Sequence, residues 1–309
     1  LSSAQYNTGV GLAALDAITS GDYNTAVGYA SLVSNTTGGN NTAVGRYALW
    51  KNQTGSANTA FGDYAMKQFR TSGSTYNTAI GRSSMRGPNS DTQYFTGSYN
   101  TAVGSGSLKV ITTGYGNTAV GYYSQYGNTI TGYKNTSVGA HSMQDITSGT
   151  ANTAVGYESG QNITNGQYNI SMGNHSLNAL TSGNYNIALG NSALYSNNAN
   201  YNTALGFNAL YSTTAANNTG LGYKAGNEIT SGTDNVVIGY DASVLTVDAN
   251  NQIVIGSSAT GKGVNTAVIG NSSTTAIYAS EDAGATLYTA GLNLEGSTVD
   301  AYETTLSLV

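Results

Sequence analysis

One short motif recurs along this chain at nearly constant spacing, and internal repetition of that kind limits the choice of fold more than any other sequence property. Anchored on the glycine of Asn-Thr-Ala-Val-Gly, it gives sixteen positions: Gly11, Gly28, Gly45, Gly62, Gly81, Gly104, Gly121, Gly139, Gly156, Gly173, Gly190, Gly206, Gly222, Gly239, Gly256 and Gly270. Nine of the fifteen intervals are 17 residues, two are 16, and the rest are 14, 18, 19 and 23. Helical repeats do not fit, because glycine punctuates every unit and β-branched residues stand where a helix prefers straight side chains.

Each column of the repeat has its own chemistry. The residue before the glycine is apolar in all sixteen copies (Val27, Phe61, Ile80, Met172, Leu205 and so on) and is expected to face a continuous core. Two residues earlier the chain is β-branched in fifteen of sixteen copies, as suits a strand, and alternation puts these two columns on one face. On the opposite face, Asn stands four before the glycine in fourteen copies, from Asn7 to Asn235, and the residue between is small until Val237. Ala or Ser follows three after the glycine, and then usually Leu or Met.

A strand of about five residues, a glycine turn, a second short strand and a polar turn fill one flattened coil. The fold class expected is therefore all-β: a parallel β-solenoid of about sixteen 17-residue coils over residues 1–275, followed by a short β extension or stalk over 276–309. At about 4.8 Å per layer, sixteen layers make a rod of roughly 75 Å. Stacked Asn side chains are expected to form ladders, hydrogen-bonding along the axis and to turn backbone, or else simply to serve the turns. The all-small column invites close approach of another backbone and points to a homotrimer.

Composition agrees with a folded chain. Charged residues make up only 8% of it, yet 24 tyrosines and a regular supply of aliphatics separate it from disordered polar sequence. There is no cysteine for a disulfide or thiolate site, and no apolar run long enough for membrane insertion as a helix. The net charge of −5 is uneven: residues 1–224 hold 9 Lys/Arg against 6 Asp/Glu, and residues 225–309 hold 1 against 9. Neither part has the basic density that nucleic acid requires. The chain begins at Leu1 without an initiator Met and is read as a segment of something longer.

The run Asn24-Thr-Ala-Val-Gly-Tyr-Ala-Ser-Leu32 and its copies resemble the head repeats of trimeric autotransporter adhesins. That resemblance implies a trimeric, left-handed parallel β-roll. The longer form, with Tyr-Asn-Thr-Ala-Val-Gly-Tyr and Ala-Leu-Tyr-Ser at 193–196 and 209–212, is similar to phage tail fibres, especially of marine phages, as is the ending from Gly296. It implies a structural, extracellular virion protein, a rigid spacer that attaches to a host-surface glycan or protein and joins other fibre or tail proteins. A bacterial trimeric adhesin or cell-surface filament is the nearest alternative. An ice-binding solenoid is a second, opposed by a Thr column that shares its face with the expected core and is replaced at Ile170 and Ile187.

Neither resemblance carries a catalytic residue, and the sequence offers none: no Gly-x-Ser-x-Gly elbow, and carboxylates scattered singly. The chain is not expected to be an enzyme or to use a cofactor. His141, Glu158 and His175 share one register in consecutive coils, a weak candidate metal set better explained as a surface charge ladder. Arg46, Asp63 and Arg82 alternate in a neighbouring column, so charges compensate between layers.

The breaks in period are more informative. The intervals of 19 and 23 place extra residues in turns 68–76 and 87–99, with six of the ten basic residues between 46 and 86 and the only Trp at position 50. Solenoid insertions often carry a binding surface, and mixed aromatic and basic residues suit glycans. The receptor-binding candidates are therefore Trp50, Arg70, Arg82, Arg86, Tyr94 and Phe95, with Trp50, Lys67, Arg86 and Lys109 stacked outward in one column. Tolerated insertions with solvated charges are the alternative.

Overall fold

The computed structural model describes residues 3–69, 74–88, 95–275 and 277. It is a single sixteen-stranded parallel sheet in strict sequence order, from β1 (Thr8–Val10) to β16 (Ala267–Ile269), with neighbours paired in register throughout. The chain divides into compact units at Leu1–Ser272 and Ser273–Val309, and the repeats make up the first. The expected extension over 276–309 lies, apart from Ile277, outside the described residues. No helix among the described residues is long and apolar enough to cross a membrane.

Strands are three residues long, not five, and the Ala/Ser-Leu segment forms no second strand. It turns tightly instead. Leu32, Leu49, Met66 and Leu108 take left-handed φ values of 47 to 50°, and Ala30, Tyr47 and Tyr64, two residues before the first three of them, take values of 51 to 59°. Such φ values are unfavourable for bulky residues and persist only where surroundings over-determine them. Here they do: Leu32 N–H donates to Ala48 O at 3.0 Å and Tyr47 N–H to Tyr29 O at 3.0 Å, so the turns are laddered coil to coil like the strands. The same Leu and Met side chains are buried, each stabilising by about 1.5–3 kcal/mol.

The facing of the strand is the reverse of the sequence expectation. The small middle residues, Ala26, Ala43, Ala60, Ala79 and Ala102, are buried, while the larger residues before the glycine point outward; Val10, Phe61 and Ile269 are 55–56% exposed. The cause is the narrowness of the coil. Opposite the strand stand the buried Leu/Met column and its Ala/Ser neighbour, leaving room only for methyl- or hydroxymethyl-sized groups along most of the rod; Val237 and Val254 fit near its end, where Gly226 and Ser243 stand in the Leu/Met column. The small column therefore contacts its own coil, and the argument from it to a homotrimer falls. A further interior column lies seven after the glycine and includes Ile111, Ile146, Ile163 and Leu180 as well as buried Asn35, Asn52 and Asn197.

Asparagine forms the expected ladder. Asn100 N–H and Nδ2 donate to Asn77 Oδ1 at 2.9 and 3.2 Å, Asn100 Nδ2 donates to Gly114 O at 2.9 Å, and Asn100 Oδ1 accepts the same backbone and side-chain pair from Asn117. The backbone link runs unbroken from Asn7 to the backbone of Gln252, across both long intervals. The repeat glycine stacks directly on the next one. At Gly156, φ is +132° and a Cβ would lie 2.6 Å from Gly173 O, so both conformation and contact exclude a side chain.

The apolar interior is not continuous. One buried cluster runs from Leu15 to Ala154 and a second from Ile163 to Ala259. At their junction Ser159, Ser171 and Ser176 point inward, with Oγ–Oγ distances of 2.7, 2.6 and 3.1 Å.

Replacing Asn100 by Ala leaves the Asn117 N–H and Gly114 O buried without partners and is expected to cost about 2–4 kcal/mol. Replacing the exposed Asn191 by Ala is expected to cost under about 0.5 kcal/mol. Urea midpoints followed by far-ultraviolet circular dichroism check the contrast.

Candidate functional site

Residues at the same place in successive coils come to lie one strand spacing apart, so the column five after the glycine sets Trp50, Lys67, Arg86, Lys109 and Tyr126 in a row. Lys67 Nζ lies 5.0 Å from the Trp50 ring, 4.9 Å from Tyr64 and 5.5 Å from Tyr47. Lys51 Nζ is 5.1 Å from Trp50, Arg86 Cζ 5.7 Å from Tyr64, and Lys109 Nζ donates to Tyr126 Oη at 2.8 Å while lying 4.7 Å from that ring. Tyr47 stacks on Tyr64 at 5.4 Å and meets Trp50 edge-on at 5.6 Å.

In the adjoining column Arg46 forms a bidentate pair with Asp63, Nε–Oδ1 3.0 Å and Nη2–Oδ2 3.2 Å, and its guanidinium lies 4.9 Å from the Tyr64 ring. The hydrogen bond to Asp63, followed by the charge of that carboxylate, raises the Arg46 pKa further. The hydrogen bond to Tyr29, with burial, raises that of the Tyr47 phenol. Cations and rings thus hold one another along several coils, each ring contributing a half-buried apolar face and each cation a charge directed outward.

The sequence candidates divide. Trp50 and Arg86 belong to this cluster, and Arg82 is exposed beside it. Arg70 and Tyr94 lie outside the described residues. Phe95 is not at a binding surface: it is fully buried, its ring 4.1 Å from that of Phe69. The enlarged coil uses these two aromatics to fill its interior where the repeat supplies no Leu or Ile. Tyr47, Tyr64 and Tyr126 were not singled out as binding residues. Their register, two or five after the glycine, was the available signal.

The His141, Glu158 and His175 set does not converge. His175 Nδ1 pairs with Glu158 Oε2 at 3.1 Å, but His141 Nδ1 turns to Gln144 Oε1 at 2.6 Å, and among the described residues no group of three could hold a metal. Tyrosines before the Asn stack in exposed ladders, Tyr6 on Tyr23 at 4.9 Å and Tyr168, Tyr185 and Tyr201 at 5.1 and 5.4 Å. At the last coil a depression of about 380 Å³ is bordered by Ser258, Lys262, Ile269 and Asn271; Lys262 is the one ionisable residue among those that line it, so it offers no acid–base pair.

No family model matches the chain, and no curated protein matches it.

Phe95→Ala is expected to cost about 3–5 kcal/mol, as for a buried aromatic, and Trp50→Ala no more than about 1 kcal/mol, since its ring is half-exposed. Thermal and urea melts of the two variants check the order.

Proposed function

We propose that this chain is a structural segment of an extracellular fibre, a rigid spacer that assembles as a homotrimer and bears an attachment surface along its side. The observation that carries the reading is the outward apolar column. Val10, Phe61, Ile80, Val138, Met172, Leu205, Leu221 and Ile269, all at the position before the glycine, are 38–56% exposed on one face of an in-register sheet. An aliphatic stripe of that length exceeds what a monomer ordinarily leaves to water and favours burial against copies of itself. The phage tail fibre is the setting the repeat resembles, with host-surface glycan or protein as the partner. A bacterial trimeric adhesin or surface filament would use the same architecture. A face-to-face dimer would bury the same column, so particle mass decides the stoichiometry.

Light scattering is expected to give three times the 31.6 kDa chain mass. Val103→Lys with Val120→Lys, both outward on neighbouring strands, is expected to release monomers that keep their β-sheet spectrum. A monomeric unmodified chain would overturn the assembly.

One observation favours a second reading. The Thr column, expected from the sequence on the core face and so unsuited to ice, lies on the outside. Thr25, Thr42, Thr59, Thr78 and Thr101 are exposed or half-buried beside the apolar column on an in-register sheet. Ile170, Ile187, Val236 and Ile253 interrupt the array. The fibre reading expects no thermal hysteresis from either the assembled chain or the monomeric variant; hysteresis in the latter would replace it.

A further inference from the structure

Three cations in consecutive coils are unusual in a stacked fold. Like charges one strand spacing apart on a sheet repel, and in a neighbouring column Asp63 pairs with Arg46. The row Lys67, Arg86 and Lys109 lies in a stretch, residues 46–126, that holds seven Lys/Arg against two Asp, in a chain whose net charge is −5. The side chains are also held in place: Lys67 among three rings, Arg86 against Tyr64, and Lys109 against Tyr126. Fixing long cationic side chains beforehand lowers the entropy lost on binding.

We infer that this row binds an acidic polysaccharide laid along the rod axis, with Lys67, Arg86 and Lys109 meeting its acidic groups and Trp50 and Tyr126 facing the apolar sides of sugar rings at either end. A row of three cations at a spacing of about 4.8 Å spans roughly two pyranose residues, so a uronate or sulfated polymer running along it brings acidic groups within reach of the row. Nucleic acid fits less well: its backbone binding relies on a broad field of phosphate contacts, and this is a single row on an acidic molecule. The site rests on the attachment half of the proposed function and is independent of the assembly half. It lies in the turn segment after the glycine, away from the outward sheet face, and stays accessible if that face is covered.

Trp50 is the only tryptophan and reports binding directly. Titrating the chain with polygalacturonate at low salt is expected to change its emission saturably, with no change from dextran. Lys67→Gln with Arg86→Gln and Lys109→Gln is expected to weaken binding by about tenfold or more, whereas Lys134→Gln with Lys224→Gln leaves it unchanged. Single Lys109→Gln, at a half-exposed position, gives a smaller loss should the triple variant misfold. Absence of any response, equal binding by the triple variant or by dextran, or equally tight binding of duplex DNA would each overturn the inference. Light scattering on the same samples separates the two claims: trimers that ignore polygalacturonate sink this site alone, and monomers that bind it sink the assembly alone.

Discussion

Everything in this molecule depends on hydrogen bonds made at right angles to the chain, from each coil to the next. The asparagine column is the strictest example, because each side-chain oxygen accepts both the backbone and the side-chain N–H of its successor through most of the rod. A buried amide linked in this way cannot shift register without orphaning donors on two coils at once. That explains how the chain accommodates insertions. Asn58, Asn77 and Asn100 remain stacked although 19 and 23 residues separate them, so the additional length is diverted into turns and the next strand restarts in place.

The period and the asparagine ladder were legible in the sequence because both are properties of columns. The direction of the strand was not. Alternation assigns Ala26 and Val27 to opposite faces but is silent on which face is inside, and the usual preference for the larger apolar side chain chose wrongly. Interior volume decides instead: with Leu32 and Ser31 filling the coil, only the methyl of Ala26 fits opposite. The left-handed Leu and Tyr residues were equally hidden, since their conformation comes from the coils above and below rather than from any local preference.

The candidate site was half legible for the same reason. Trp50, Lys67, Arg86 and Lys109 fall in one column whatever the exact fold, and the structure keeps them together. Phe95 sat in an insertion and looked like a surface aromatic, yet its own coil has Pro88 where others place Ile or Leu, and Phe95 turns inward. Columns predict neighbours well; insertions break the columns, and there composition is a poor guide to direction.

The three inward serines have a mechanical consequence. Their hydroxyls are fully buried beside Ala154, Ile163 and Leu177 and pair with one another, so these coils are joined inside by hydrogen bonds as well as by apolar contact. In a linear stack each coil touches only its neighbours. Losing one of these hydroxyls would strand its partners inside the rod, so a single substitution here is felt by the coils above and below at once.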